Sequence, residues 1–401
     1  MKLLTSLLAL LVSLSMNAQS FTTYLEEDGL VSNSVNCVST GEAGNVYFGT
    51  QFGISHFDGT NWTSYTEDDG LVDNNVTAIL ISDGVIWAGT DFGFSTFDGT
   101  TWTTYTTDDG LEDNRIKDFY VDSDGLVWIG NNDGVSTFDG TDFSNFTTAD
   151  GLPAFGVSHV TQDIDGNMWL SNGIFGAIMY DGTQFTTFNE DNDLLSNSIR
   201  AIAVSASNKK WIATAEGISV LGDDNTHEED HEIIFVLPPP DELNPVEDVA
   251  IDSEGHVWAG VYVDYLVTVG GISLYDSGIW VDYDEDDGLA GPNVRAISID
   301  DNDGVWVATS TGVTYISDVP FSIYEQDNQT FKTHPNPSNG LMNIVLDNSS
   351  ETLEIYSLTS ELVYAETIKG KSNHSLNLSF LSEGIYIMKY GSQTSRISIQ
   401  F

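Results

Sequence analysis

The sequence predicts an all-β chain: a seven-bladed β-propeller of four-stranded antiparallel blades, followed by a small C-terminal β-sandwich. Two observations carry this. First, an aromatic at the centre of a strand-like run recurs as Tyr47, Trp87, Trp128, Trp169, Trp211, Trp258 and Trp306, at spacings of 40, 41, 41, 42, 47 and 48 residues. A period in this range signals a solenoid or a propeller rather than separate domains. Second, each interval holds the same four short alternating runs joined by Gly-containing turns, and no helical period occurs anywhere.

The chain starts with Met1-Lys2-Leu3-Leu4, an apolar run to Leu14, and Met16-Asn17-Ala18 before Gln19. This is the pattern of a secretory signal, with cleavage expected after Ala18. The run is too short to span a bilayer, and no other stretch is long and apolar enough, so no integral membrane segment is expected. The expected divisions are 1–18 signal peptide, 19–326 propeller and 327–401 C-terminal domain. Cys37 is the only cysteine, so the exported protein is expected to rest on packing and backbone pairing without disulfides. With 61 acidic and 12 basic residues the formal net charge is −49, and the acidic bias ends with the repeats. Such a field repels nucleic acid and anionic membranes.

The second repeat shows how a blade is written. Asp69-Gly70-Leu71 opens a loop, Asn75 to Leu80 is a first strand, Val85 to Thr90 a second, Gly93 to Phe97 a third and Trp102 to Thr106 a fourth. Asp83-Gly84 and Asp98-Gly99 are hairpin signals between them. The loop recurs at Asp28, Asp109, Asp150 and Asp287, and in degenerate form at Asp193-Leu194-Leu195; the sixth repeat has Pro238-Pro239-Pro240-Asp241 instead. Closing the ring requires one more outer strand for the last blade. Phe21-Thr22-Thr23-Tyr24 and Phe321-Ser322-Ile323-Tyr324 both fit, and the pattern leaves the choice open.

These repeats resemble the two-component regulator propeller repeats of extracellular sensor regions in Bacteroidetes-type hybrid histidine kinases. The resemblance covers about residues 21 to 326. It is carried by strings such as Gly110-Leu111-Glu112-Asp113-Asn114 and Asp124-Gly125-Leu126-Val127-Trp128-Ile129-Gly130. It implies the propeller; the membrane span, kinase and DNA-binding parts of such receptors have no counterpart here, so their function does not follow.

After Asn328 the repeat stops. Pro335-Asn336-Pro337-Ser338-Asn339-Gly340 is turn-forming, and strand-like runs follow at Met342–Leu346, Leu353–Ser357, Glu361–Tyr364, Leu376–Leu378, Ile385–Tyr390 and Ile397–Phe401. With Ile355-Tyr356 and Gly384-Ile385-Tyr386-Ile387-Met388, this region is similar to the C-terminal sorting domain of type IX secretion. Ser360-Glu361 stands where that family usually has a Gly turn, and Ser395-Arg396-Ile397 is less basic than its usual end. The resemblance implies passage through the outer membrane and the secretion machinery as a partner.

Four constellations bear on chemistry. His227-Glu228-Glu229-Asp230-His231 matches the H-E-x-x-H string that binds zinc on a helix. Here it is expected to be an acidic loop between the third and fourth strands of blade five, because strand-like Ile233-Ile234-Phe235-Val236 follows and no helix is available. The turns opened by Asp122, Asp163, Asp252 and Asp300 place carboxylates before Gly. No cofactor is expected, and calcium is the one ion such oxygens would suit, against the simpler reading of hairpin turns. Aligned first strands put Asn36, Thr77, Lys117, Ser158, Arg200, Glu247 and Arg295 at one position. Lys117, Arg200 and Arg295 would then converge in the channel on an anionic group, or each would pair with a neighbouring acidic loop. Finally, the loops between second and third strands share a face with the Asp-Gly-Leu loops. That face gathers Phe52, Phe92, Phe175, Asn131, Asn172 and an insertion with Tyr262 and Tyr265. These aromatics are read either as a ligand surface or as packing between blades.

The function expected is that of a secreted or surface-held, non-enzymatic binding module for a glycan or protein, with Lys117, Arg200, Arg295, Tyr262, Tyr265 and Phe92 as ligand-binding candidates. The alternatives are a propeller lyase or hydrolase, similar to streptogramin lyase-like proteins, and an accessory to a separate sensor. His159 is the only His in a first strand, and so the residue a lyase would use.

Overall fold

Side-chain alternation within each repeat forces short twisted strands, and the recurring turns stack them into blades. The computed structural model describes residues 19–153, 155–232, 234–235, 245–264 and 268–317, then 332–334, 341–345, 350–357, 362–369, 373–382, 384–390 and 393–399. The chain forms two compact units, residues 1–320 and 321–401. In the first, seven four-stranded antiparallel sheets follow one another, with inner strands Val35–Thr40, Ala78–Ser82, Ile116–Val121, His159–Gln162, Ile199–Val204, Val246–Ile251 and Val294–Ile299.

The outer strand of the seventh blade is Ser20–Tyr24, which pairs antiparallel with Gly312–Ser317, Phe21 opposite Ile316 and Tyr24 opposite Val313. The open choice is thereby decided for the N-terminal candidate; Phe321–Tyr324 lies outside the described residues. Tyr24 packs on Trp306 and edge-on to Trp62, and Phe21 on Tyr283, so the strand bridges blades one, six and seven.

The core lies between blades. Trp87 and Phe94 of blade two meet Ile116, Phe119, Ile129 and Phe138 of blade three, and Trp306, Ala308 and Val313 of blade seven meet Val35, Phe48 and Phe57 of blade one. Two glycines show how tightly this is packed. A Cβ on Gly89 would stand 2.5 Å from the Ile116 side chain of the next blade. Gly93 has φ +116 where its hairpin turns beneath the Tyr105 carbonyl, a conformation that L residues avoid.

The Asp-Gly-Leu signal has a full physical account. In blade two Asp69 accepts a hydrogen bond from the Thr66 amide at 2.9 Å, closing a single 3-10 turn over Glu67–Asp69. Gly70 reverses the chain at φ 122, and Leu71 is buried as the anchor. Asn74 and Glu67 add a reciprocal pair, each side chain accepting from the other's amide. Glu67 and Asp68 remain on the surface.

Blade five departs from the expectation. His227–His231 is itself the outer strand, paired with Gly217–Leu221, and not a loop before Ile233–Val236. Of that expected strand, Ile234 and Phe235 are described, and they are buried among Trp211, Val249 and Val261 between blades five and six. Burial of those two apolar residues decides the register, leaving the polar run to form the rim.

The C-terminal unit has a three-stranded sheet (Lys332–His334, Leu341–Val345, Asn373–Asn377) and a four-stranded one (Leu362–Lys369, Ser350–Ser357, Gly384–Tyr390, Gln393–Ile399). Alternate residues Leu353, Ile355, Met388, Ile397 and Ile399 share one core with Met342, Ile344 and Leu376 of the smaller sheet. The small sandwich expected from the sequence is present.

Candidate functional site

The inner strands begin with a shared irregularity. In blades one, three, five, six and seven the ladder skips one residue, which is Asn36, Lys117, Arg200, Glu247 or Arg295. A bulge of this kind re-aims the extra side chain. The position aligned from sequence is therefore a bulge position, and blades two and four start their ladders just after Thr77 and Ser158.

Most of these groups are engaged by the next blade. Arg295 donates to Asn36 at 2.9 Å and to the Val35 carbonyl, Asn36 to the Val76 carbonyl at 2.9 Å, and Thr77 to the Ile116 carbonyl at 2.8 Å. Asp118 accepts from the Val160 amide at 2.8 Å, and His159 meets the Ile202 carbonyl at 3.1 Å. Arg200 pairs with Glu247, and Asp248 accepts from the Ile297 amide at 2.7 Å. All seven blade junctions are thus tied by a channel side chain. The three cations share the bulge position, but Arg200 and Arg295 serve as ties, while Lys117 sits 3.8 Å from Asp91. Tyr262 is half-buried on the long strand Val257–Asp264, and Tyr265 lies outside the described residues.

Asp118, His159 and Asp248 occupy the position after the bulge. Its residues across the seven blades are Cys37, Ala78, Asp118, His159, Ala201, Asp248 and Ala296, and charge among small residues was the signal available in the sequence. Burial opposes a charged His159, but the Asp118 carboxylate 3.1 Å away outweighs it, by charge and hydrogen bond, and holds the imidazole up to about 9. Burial pushes Asp248 up to about 6 against the pull of His159. Burial likewise pushes the Cys37 thiol up to about 12, which leaves it unreactive.

A pH dependence follows. A raised histidine contributes stability that is complete below its unfolded value near 6.5 and is lost as pH rises through about 9. Urea unfolding at pH 6.5 and pH 9 should therefore show a fall in wild-type stability that His159→Gln reduces by roughly 1–3 kcal/mol. Equal falls in both proteins would exclude the assignment.

The acidic turns have a structural use. Asp122, Asp163, Asp252 and Asp300 each accept the indole N–H of the tryptophan six residues on, at 2.7, 2.9, 3.3 and 3.3 Å, and bond the turn's own amides. Among the described residues no group of three His, Cys, Asp or Glu is placed to hold a metal. At blade five, Lys210 takes an apolar position, fully buried 3.8 Å from Asp163 and with its ammonium 5.5 Å from the centre of the Trp169 ring. Burial lowers its affinity for the proton.

The H-E-x-x-H string has strand geometry, unlike a zinc helix. His231 stacks on Trp211 and lies edge-on to Trp280, and Glu228 leaves the ladder at a bulge to pair with Lys209 at 2.6 Å.

Among the described residues the loop face gathers five of the propeller's seven exposed large apolar side chains, with Ile164 and Ile279 elsewhere. Phe52 and Phe92 are 61% exposed, Phe155 68% and Ile174 69%, with Phe175 beside Phe155. Stiff turns hold Phe52, Phe92, Ile174 and Phe175 there. Thr90 accepts from the Phe92 amide and donates to the Gly93 carbonyl, Thr50 does the same for Phe52 and Gly53, and Asn172 accepts from the amides of Ile174 and Phe175. Asn131 and Asn172, placed on this face from the sequence, are buried, because their amides build these turns.

The geometry defines a seven-bladed propeller followed by a separate small β unit. Residues 70–92 and 110–133 match the two component regulator propeller, and residues 332–401 match the secretion system C-terminal sorting domain. The chain carries both, and the protein is secreted or held at the cell surface. No helix among the described residues is long and apolar enough to cross a membrane.

Solved structures agree on the fold. The extracellular domain of the hybrid two component system BT3049 of B. thetaiotaomicron superposes with TM-score 0.65 at 19% identity, over 94% of this chain and 57% of that one. PorZ, a surface component of the type-IX secretion system of Porphyromonas gingivalis, gives 0.59 at 16% over 92% and 60%. This chain thus spans about three fifths of those two. A catalytically inactive histidine-to-alanine variant of virginiamycin B lyase from Staphylococcus aureus, with quinupristin, gives 0.58 at 13% over 75% and 99%. No curated protein is significantly similar in sequence.

Proposed function

We propose that the propeller is a non-enzymatic binding module, delivered outside the cell by its sorting domain, that takes a protein or glycan ligand on the face of the Asp-Gly-Leu turns. One observation carries this: Phe52, Phe92, Ile174 and Phe175 stand exposed on braced hairpins of that face, with Phe155 exposed on the adjoining loop. Large apolar groups held in water mark interaction sites. The lyase alternative needs a histidine with a free ring nitrogen, whereas His159 engages Asp118 through Nδ1 and Ile202 through Nε2. Glycan and peptide arrays probed with the full chain are the test. Binding that falls about tenfold in Phe92→Ser supports the reading. Turnover of an array ligand that His159→Ala abolishes would replace it with catalysis.

A further inference from the structure

Charge on the loop face narrows the ligand. The 3-10 turns that frame it expose Glu26, Glu27, Asp28, Glu67 and Asp68 in blades one and two, and the same turns continue the acidic rim through Asp108 and Asp191. Asp91 is exposed beside Phe92 itself. Of the basic side chains there, Arg115 is held by Asp113 at 2.9 Å and Lys117 lies toward Asp91.

Among the described residues the exposed apolar groups of this face lie on blades one, two and four. They are Phe52, Phe92 and the Phe155, Ile174, Phe175 group, whereas the corresponding turns of blades three, five and seven carry Asp133, Glu216 and Thr311. The turn-building hydroxyls and amides next to these rings are spent on their own backbone, as Thr50, Thr90 and Asn172 show. This arc of blades one to four presents apolar rings and carboxylates, the complement of a chain bearing both apolar and cationic side chains.

We infer that the arc of blades one to four docks a cationic, apolar-rich polypeptide segment, its aromatic or aliphatic side chains packing on Phe52, Phe92 and Phe155 and its Lys or Arg residues facing the acidic rim. This rests on the loop face being the ligand surface. Salt acts on the charged part alone, because exposed charges are screened beyond about 3 Å at 1 M ionic strength.

The test uses the full chain and three fluorescent peptides of equal length: alternating Lys and Phe, alternating Lys and Ser, and alternating Glu and Phe. The Lys/Phe peptide should bind at least about tenfold tighter than the Lys/Ser one, and the Glu/Phe peptide should not bind. Phe92→Ser and Phe155→Ser should each weaken Lys/Phe binding about tenfold, while Ile164→Ser, in an exposed turn of the opposite face, should leave it unchanged. Equal binding of Lys/Ser and Lys/Phe, or indifference to both Phe substitutions, overturns the inference. If no peptide binds but a glycan does so in a Phe92-dependent way, the polypeptide assignment falls and the binding face stands; if neither binds, both fall.

Discussion

Deleting Ser20–Tyr24 is expected to open the ring and remove cooperative unfolding of the propeller. The strand is the fourth of blade seven and pairs along all five of its residues. Its loss bares Gly312–Ser317 as an unpaired edge, an invitation to aggregation. It also removes Phe21 and Tyr24 from Tyr283, Trp62 and Trp306. Two part-buried aromatics and the ladder bonds together are worth on the order of 5 kcal/mol or more, a large share of what stabilises a domain. Thermal unfolding followed by near-UV circular dichroism, with limited proteolysis, measures this. A synthetic peptide of residues 19–26 added in trans should restore part of the transition. A midpoint within about 2 °C of wild type would show that another segment, with Phe321–Tyr324 the candidate, closes the ring.

The second large effect is at the buried pair of blades four and five. Asp163 accepts from the amides of Asp165 and Asn167, the Asn167 side chain and the Trp169 indole, and it is the nearest counter-charge to the fully buried Lys210. Asp163→Ala leaves those donors unmatched and an ammonium without its partner. A loss of about 3–5 kcal/mol is expected, read from urea unfolding midpoints. Lys210→Met, which restores the apolar residue of the other blades, should be neutral or stabilising, and combining it with Asp163→Ala should recover part of the loss. If Asp163→Ala costs no more than alanine at exposed Asp124, the pair is not a structural tie.

Much of the fold was legible because its causes are local. The tryptophan period, the hairpin glycines and the Asp-Gly-Leu turns act within a few residues, and Asp69 capping Thr66 three positions away is typical. The candidate site was less legible. Phe92 was named as a ligand residue and is indeed exposed, whereas Phe155 takes the position at which Asn33, Asn74, Asn114 and Asn197 cap the turns of other blades, and Ile174 sits in a turn one residue longer than its counterparts, so neither stands out from the repeat as an aromatic or apolar position. Asn131 and Asn172 had the right chemistry but spend it on their own turns.

By itself the sequence determined the number of blades, their strand order, the caps that shape each loop and the existence of a second β unit, all set by short-range periodicity and turn chemistry. Only the tertiary structure decided which strand closes the ring, that Arg200 and Arg295 tie blades together, and that Lys210 is buried. Those outcomes depend on contacts such as Arg295 to Ser34, separated by 261 residues, which exist only once the ring's curvature has brought its ends together.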